Sequence, residues 1–180
     1  MGWPSGRGRT FLIGCDFPGA SEQGLSFIVD FYLVRHGEAF PGAQDPLRPL
    51  TPSGRAHVEH LGRLAVAKGI RPAAIFHSGI LRAKQTAEIL AAQLAPDIEI
   101  QSITGLMPDD DPDIAVGELE TAQQPMMLVG HLPHMNRLVA LLINKNLSRD
   151  VVNFSPASMV CCARGPSQWV LAWMLEGGTA

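Results

Sequence analysis

Cysteine is scarce in this chain and cannot build a framework. The three that occur among 180 residues are Cys15, Cys161 and Cys162. An odd count with two neighbours inside an apolar stretch argues against disulfides, so a reducing compartment, the cytoplasm, is the simpler expectation. Long apolar runs are also missing: nothing approaches the ~20 residues that a helix needs to span a bilayer. Leu12-Ile13-Gly14-Cys15 looks like a lipoprotein cleavage box, but only Phe11 to Ile13 precede it as an apolar region. A working signal has roughly 7–15 such residues. Nor is there a basic run. Lys and Arg number 14 against 17 Asp and Glu, for a net charge of −3, and they are scattered. Neither a nucleic-acid partner nor a membrane is therefore expected.

With 46% apolar and 17% charged residues, the chain has the composition of a soluble globular protein,. Its length suits one domain with its own core. Residues 1–26 are rich in Gly, Ser and Pro and show no periodicity, so they read as a disordered leader. Patterned sequence starts at Phe27, and a single domain is expected over residues 27–176.

Within that domain, strand and helix signals alternate. Thr51-Pro52 supplies a capping hydroxyl and a first-turn proline, and Gly69 a stop; Val58, Leu61, Leu64 and Ala65 recur between them at helical spacing,. A second helix is expected from Leu81 to Leu94, a third from Asp111-Pro112 to Ala122, and a fourth from Pro133-His134 to Ile143. Ile98, Ile100 and Ile103 read as a strand. Ala157 to Ala163 and Trp169 to Leu175 read as a hairpin turning at Gly165-Pro166. The alternation predicts a three-layer α/β/α sandwich with a mainly parallel sheet.

Three further apolar runs each end in a polar cluster. Phe31 to Val34 leads into Arg35-His36-Gly37, Ala73 to Phe76 into His77-Ser78 with Arg82 following, and Met126 to Val129 into Gly130-His131. In an open parallel sheet, ligands collect beyond the carboxyl ends of the strands, so these clusters point to one shared site. Two arginines and two histidines make a phosphate-handling set. Taken singly, each has a bland reading as a solvated strand end or a satisfied core histidine.

The segments LVRHGEA (Leu33 to Ala39), LTPSGRAHVEHLG (Leu50 to Gly62), HSGILRAKQTAEIL (His77 to Leu90) and LVGHLPHM (Leu128 to Met135) together resemble the histidine phosphatase superfamily, also called phosphoglycerate mutase-like. The nearest likeness is to the short SixA-type phosphohistidine phosphatases. The resemblance implies a mutase-like fold, with His36 as the nucleophile that takes the phosphoryl group and Arg35, Arg82 and His131 gripping its oxygens. The chemistry agrees independently. A neutral imidazole is a competent nucleophile, and fixed guanidiniums stabilise charge spread over the transferring phosphoryl oxygens. Those cations should also depress the His36 pKa. No metal or other cofactor is needed, and the remaining histidines and acids lack metal-ligand spacing such as HExxH.

Ser78 either donates to phosphate or caps the helix after it. Glu38 and Thr86 read as structural, His57 and His60 as surface residues, His77 as a packing or loop residue, and His134 as more a structural than a rim group. The mutase-like enzymes use a Glu or Asp to protonate the leaving group, and no clear equivalent stands here. Asp109 and Asp110 are the candidates for that acid, although Asp109 to Asp111 also suit a solvated turn before a capped helix. The 48 residues between Arg82 and His131 (83 to 130) are already used by secondary structure, which leaves little for a lid. A lidless site without a dedicated acid favours protein phosphohistidine, as on a phosphorelay domain, over a small phosphate ester. A phosphomonoesterase and a non-catalytic phosphate-binding module are the rivals.

Overall fold

In the computed structural model, residues 28–147 and 151–178 are described; the expected leader, residues 1–26, lies outside them. Ten elements run in the order β1 (Val29–Arg35), α1 (Pro52–Ala67), β2 (Ala74–His77), α2 (Leu81–Leu94), β3 (Ile100–Ser102), α3 (Pro112–Thr121), β4 (Met126–Gly130), α4 (His134–Asn144), β5 (Ser158–Arg164) and β6 (Trp169–Glu176). They form the expected α/β sandwich around a six-stranded sheet of order β3-β2-β4-β1-β5-β6. The pairings of β3, β2, β4 and β1 are parallel, while β5 and β6 run antiparallel to their inner neighbours. The carboxyl ends of β2, β4 and β1 therefore lie side by side, which places the three polar clusters at one edge of the sheet.

Both faces of the sheet are covered, and this explains why its inner strands read as unbroken apolar runs. Tyr32, Val34, Met127 and Val129 pack against Val58, Leu61 and Ala65 of α1 and Ala87 and Leu90 of α2. Phe31, Leu33 and Leu128 pack on the opposite face with Leu119 of α3 and Met135 and Leu138 of α4. Cys161 and Cys162 lie buried and unpaired in β5. Arg164 serves the far end of the fold. Its guanidinium donates to the carbonyls of Leu119, Glu120 and Ala122, which end α3 without intrahelical partners,.

The caps form as the sequence suggests. Thr51 Oγ accepts from the Gly54 N–H at 2.9 Å, Asp111 accepts from the Asp113 N–H at 3.1 Å, and Gly69 leaves α1 at φ +78°. The hairpin closes through a 3.0 Å bond from Gly165 N–H to the Gln168 carbonyl. Two expectations need correction. The strand around Ile100 is only three residues long, because Ile98 sits in the preceding turn and bonds back to Ala95. His57 and His60 are half-buried rather than surface residues, since the chain after β6 folds over α1 and brings the Gly177 carbonyl 3.1 Å from His60 Nδ1.

Two glycines give opposite predictions. A Cβ on Gly54 would stand 2.1 Å from the Glu38 carbonyl oxygen, a backbone atom two residues beyond His36. Gly54→Ala should thus cost about 3 kcal/mol or more in chemical denaturation. Gly117 lies exposed in α3 with nothing within 4 Å of the same position. Gly117→Ala should stabilise by about 0.8–1 kcal/mol.

Candidate active site

The backbone of His36 is held from two sides. Its N–H donates to the Gly130 carbonyl at 3.1 Å, and its carbonyl accepts from Ala157 N–H at 3.1 Å. The next residue is tied to α2: Gly37 N–H donates to Thr86 Oγ1 at 3.1 Å, while that hydroxyl donates to the Arg82 carbonyl at 2.8 Å. Thr86 is fully buried and thus joins the turn after β1 to the helix that carries Arg82. Glu38 accepts from Thr51 Oγ1 at 3.1 Å, also a structural contact.

Hydrogen bonding defines the state of the His36 ring. Nδ1 lies 2.6 Å from the Gly37 carbonyl, which can only accept, so Nδ1 carries the proton,. Nε2 is left with its lone pair, and the Arg82 Nε–H donates to it at 3.1 Å. The pKa of His36 is lowered to about 4. Burial is the largest cause, and Arg82, Arg35 and Arg48 add to it against the opposing Gly37 bond,. The cations therefore act as expected but rank behind burial. Among the described residues, the charges that act on this ring are all positive.

Arg35, at the end of β1, donates from Nη1 to the Phe154 carbonyl at 2.6 Å, while its Nε is buried and has no partner among the described residues. His131 follows β4, is 1% exposed, and stacks obliquely on His36 with ring centroids 4.9 Å apart. Its pKa falls to about 3 through burial, then the nearby His36, Arg82, His134 and Arg48. Its Nε2 lies 2.6 Å from Ser78 Oγ. The sheet thus brings Arg35, His36, Ser78, Arg82 and His131 together.

Asp109 and Asp110 are placed differently. Asp109 is exposed, and Asp110 accepts the Met107 N–H at 2.9 Å, closing its own turn. Neither acts on His36 or His131. His77 is buried and accepts the Gly79 N–H at 2.9 Å, so it shapes the turn after β2. His134 is fully buried, not a rim group, and neither ring nitrogen has a partner among the described residues. Among those residues, no group of three or more His, Cys, Asp or Glu could hold a metal ion.

One contributor has no counterpart in the sequence reading. Arg48 lies in the loop between β1 and α1, with φ +49° and its Nε donating to the Phe40 carbonyl at 3.1 Å. Its charge acts on His36, Arg82 and His131 alike. A third guanidinium, exposed in that loop, thus adds positive charge to the surroundings of the same two imidazoles.

The family model of the histidine phosphatase superfamily (branch 1) matches residues 31–107, the stretch that carries Arg35, His36, Ser78 and Arg82. An uncharacterised protein of Picosynechococcus is 33% identical over a 115-residue alignment that covers 59% of this chain and 68% of that one. The chain belongs to the histidine phosphatase superfamily. It is therefore a phosphatase. Among solved structures, the protein histidine phosphatase SixA complexed with tungstate has TM-score 0.74 at 21% identity, covering 83% of this chain and 97% of that one. A putative phosphohistidine phosphatase SixA from Agrobacterium tumefaciens has TM-score 0.68 at 25% identity, covering 82% and 97%. A putative alpha-ribazole-5'-P phosphatase from Escherichia coli has TM-score 0.67 at 17% identity, covering 80% and 94%, and shares the fold.

Proposed function

We propose that this histidine phosphatase removes phosphoryl groups from protein phosphohistidine, through a covalent phosphohistidine at His36 and without a metal. The observation that carries the reading is the state of the His36 ring, with Nδ1–H spent on the Gly37 carbonyl and the Nε2 lone pair facing the Arg82 guanidinium. In the first step Nε2 attacks phosphorus, the substrate's P–N bond breaks, and the departing imidazole takes a proton from water. In the second, water attacks the phosphorus on His36, phosphate leaves, and Nε2 regains its lone pair. Arg35, Arg82 and Arg48 supply fixed positive charge to the phosphoryl oxygens, and His131 supplies a neutral donor.

Among the described residues, the charges acting on His36 and His131 include no carboxylate, which favours a leaving group that needs no dedicated acid,. Phosphohistidine meets that condition, whereas an alkyl phosphate does not. The likeness to SixA proteins supports the same substrate. Asp109 and Asp110 then have no part in proton transfer, and we place the enzyme in the cytoplasm, where its free cysteines stay reduced,.

The test is turnover by the wild-type protein, without added metal, on a phosphohistidine-bearing phosphorelay domain and on a panel of small phosphate monoesters. A kcat/KM at least about 100-fold higher on the phosphoprotein, a margin of roughly 2.7 kcal/mol, is the expected result. Preference for a monoester would move the function to small-molecule metabolism. No turnover of either, with phosphate still bound, would leave a binding module.

A further inference from the structure

Ser78 ends the β2 cluster, and its role is narrower than either sequence reading. It is 9% exposed, and its hydroxyl reaches the Ile80 N–H only at 3.4 Å, too long for a strong helix cap,. The residue at the cap position of α2 is Ile80, which makes no side-chain cap bond. The short contact of Ser78 is elsewhere, at 2.6 Å from His131 Nε2.

Counting hydrogens decides which atom donates. The Ser78 hydroxyl carries one hydrogen, which in this buried setting needs an acceptor, and among the described residues His131 Nε2 stands within reach at 2.6 Å,. A neutral imidazole has a single N–H, and if Nε2 accepts, that hydrogen sits on Nδ1. His131 Nδ1 is buried and has no partner among the described residues. In the opposite tautomer, Nε2–H would donate to Ser78, the hydroxyl hydrogen would lose its acceptor, and Nδ1 would present a lone pair to any anion beside it. A buried orphan donor is what a phosphoryl oxygen can satisfy, whereas a buried orphan lone pair would repel it.

We infer that Ser78 is a positioning residue, whose hydroxyl donates to His131 Nε2 and so holds the imidazole in the Nδ1–H tautomer, with that N–H free for a phosphoryl oxygen. Ser78 itself does not bind the phosphate. The inference rests on the proposed role of the His36 and His131 pair. It supplies what that proposal needs, because the other polar atom of His131 is already engaged.

The experiment is nitrogen-15 NMR of the histidine rings in wild type, Ser78→Ala and Ser78→Thr, alongside kcat, KM and the affinity for tungstate. Wild type should show His131 protonated at Nδ1. Ser78→Ala should shift it towards Nε2–H and lower kcat about 100-fold, the lower end of the scale for a lost oxyanion donor. Ser78→Thr should restore both. A wild-type ring protonated at Nε2 overturns the inference, without need of any variant that fails to fold. So does a Ser78→Ala protein with an unchanged tautomer. If that protein also lost tungstate affinity, Ser78 would be a direct ligand. The ring spectrum is independent of turnover, so an enzyme inactive on every substrate would refute the proposed function while the tautomer is still read.

Discussion

His36→Ala should lower turnover by at least about 10⁴-fold, the scale seen when a covalent nucleophile is removed. Among the described residues, no neighbouring side chain is placed to substitute. Ser78 is engaged with His131 at 2.6 Å, Thr86 is buried between Gly37 and Arg82, and Cys161 and Cys162 lie in the core, where burial raises both thiol pKa values, that of Cys162 to about 12. The loss should be chemical rather than structural, because among the described residues the His36 side chain bonds only to the Gly37 carbonyl and Arg82 Nε. Its backbone bonds to Gly130 and Ala157 are unaffected by truncation. His36→Ala should therefore retain a cooperative melt, and tungstate should still bind, since the three guanidiniums and His131 remain. A rapid quench of wild type should also trap one phosphoryl group per chain that survives alkali and is lost in acid. Turnover in His36→Ala within tenfold of wild type would refute nucleophilic catalysis by this residue.

Much of this arrangement is legible in the chain because it follows from two local rules. Apolar runs buried on both faces mark the inner strands, and the residues after them must leave the sheet at its carboxyl edge; hence Arg35-His36, His77-Ser78 and Gly130-His131 converge. Caps such as Thr51-Pro52 and Asp111-Pro112 depend on neighbours two or three residues away, so sequence is enough to place them. Arg48 is different. It occupies a loop and turns on a positive φ, so neither periodicity nor a strand end points to it, and its charge reaches His36 only through the fold. His134 follows its favoured structural reading: although a helix start beside a site could form a rim, that first turn faces the interior with Met135 and Leu138. The acidic run illustrates the reverse case. Asp110 and Asp111 spend their carboxylates on Met107 N–H and Asp113 N–H, the turn and cap that their local sequence favours.

Acid should destabilise this enzyme well before its carboxylates titrate. His36 and His131 have folded-state pKa values of about 4 and about 3, and those of His77 and His134 are also lowered, burial being the largest cause in all four. In the unfolded chain each returns to about 6.5. The neutral forms are therefore favoured by folding, and their stability contribution is complete above pH 6.5. It falls as pH drops towards the folded values, because unfolding then takes up protons that the native rings refuse. For His36 and His131 together, going from pH 7 to pH 5 should remove about 3 kcal/mol, a large share of a typical domain's stability. The melting temperature should fall by roughly 6–12 °C, with His77 and His134 adding in the same direction. His36→Gln should reduce the pH slope by close to one proton. Tungstate should protect more as pH falls, since a bound anion offsets the charge of a protonated ring. The catalytic consequence has the opposite sense: where the protein remains folded, His36 still holds its lone pair at pH 5, so the acid limb of kcat/KM should lie near pH 4 rather than 6.5,. A melting temperature unchanged between pH 7 and pH 5, or an acid limb at 6.5, would show that these imidazoles are ordinary and that burial does not hold His36 neutral.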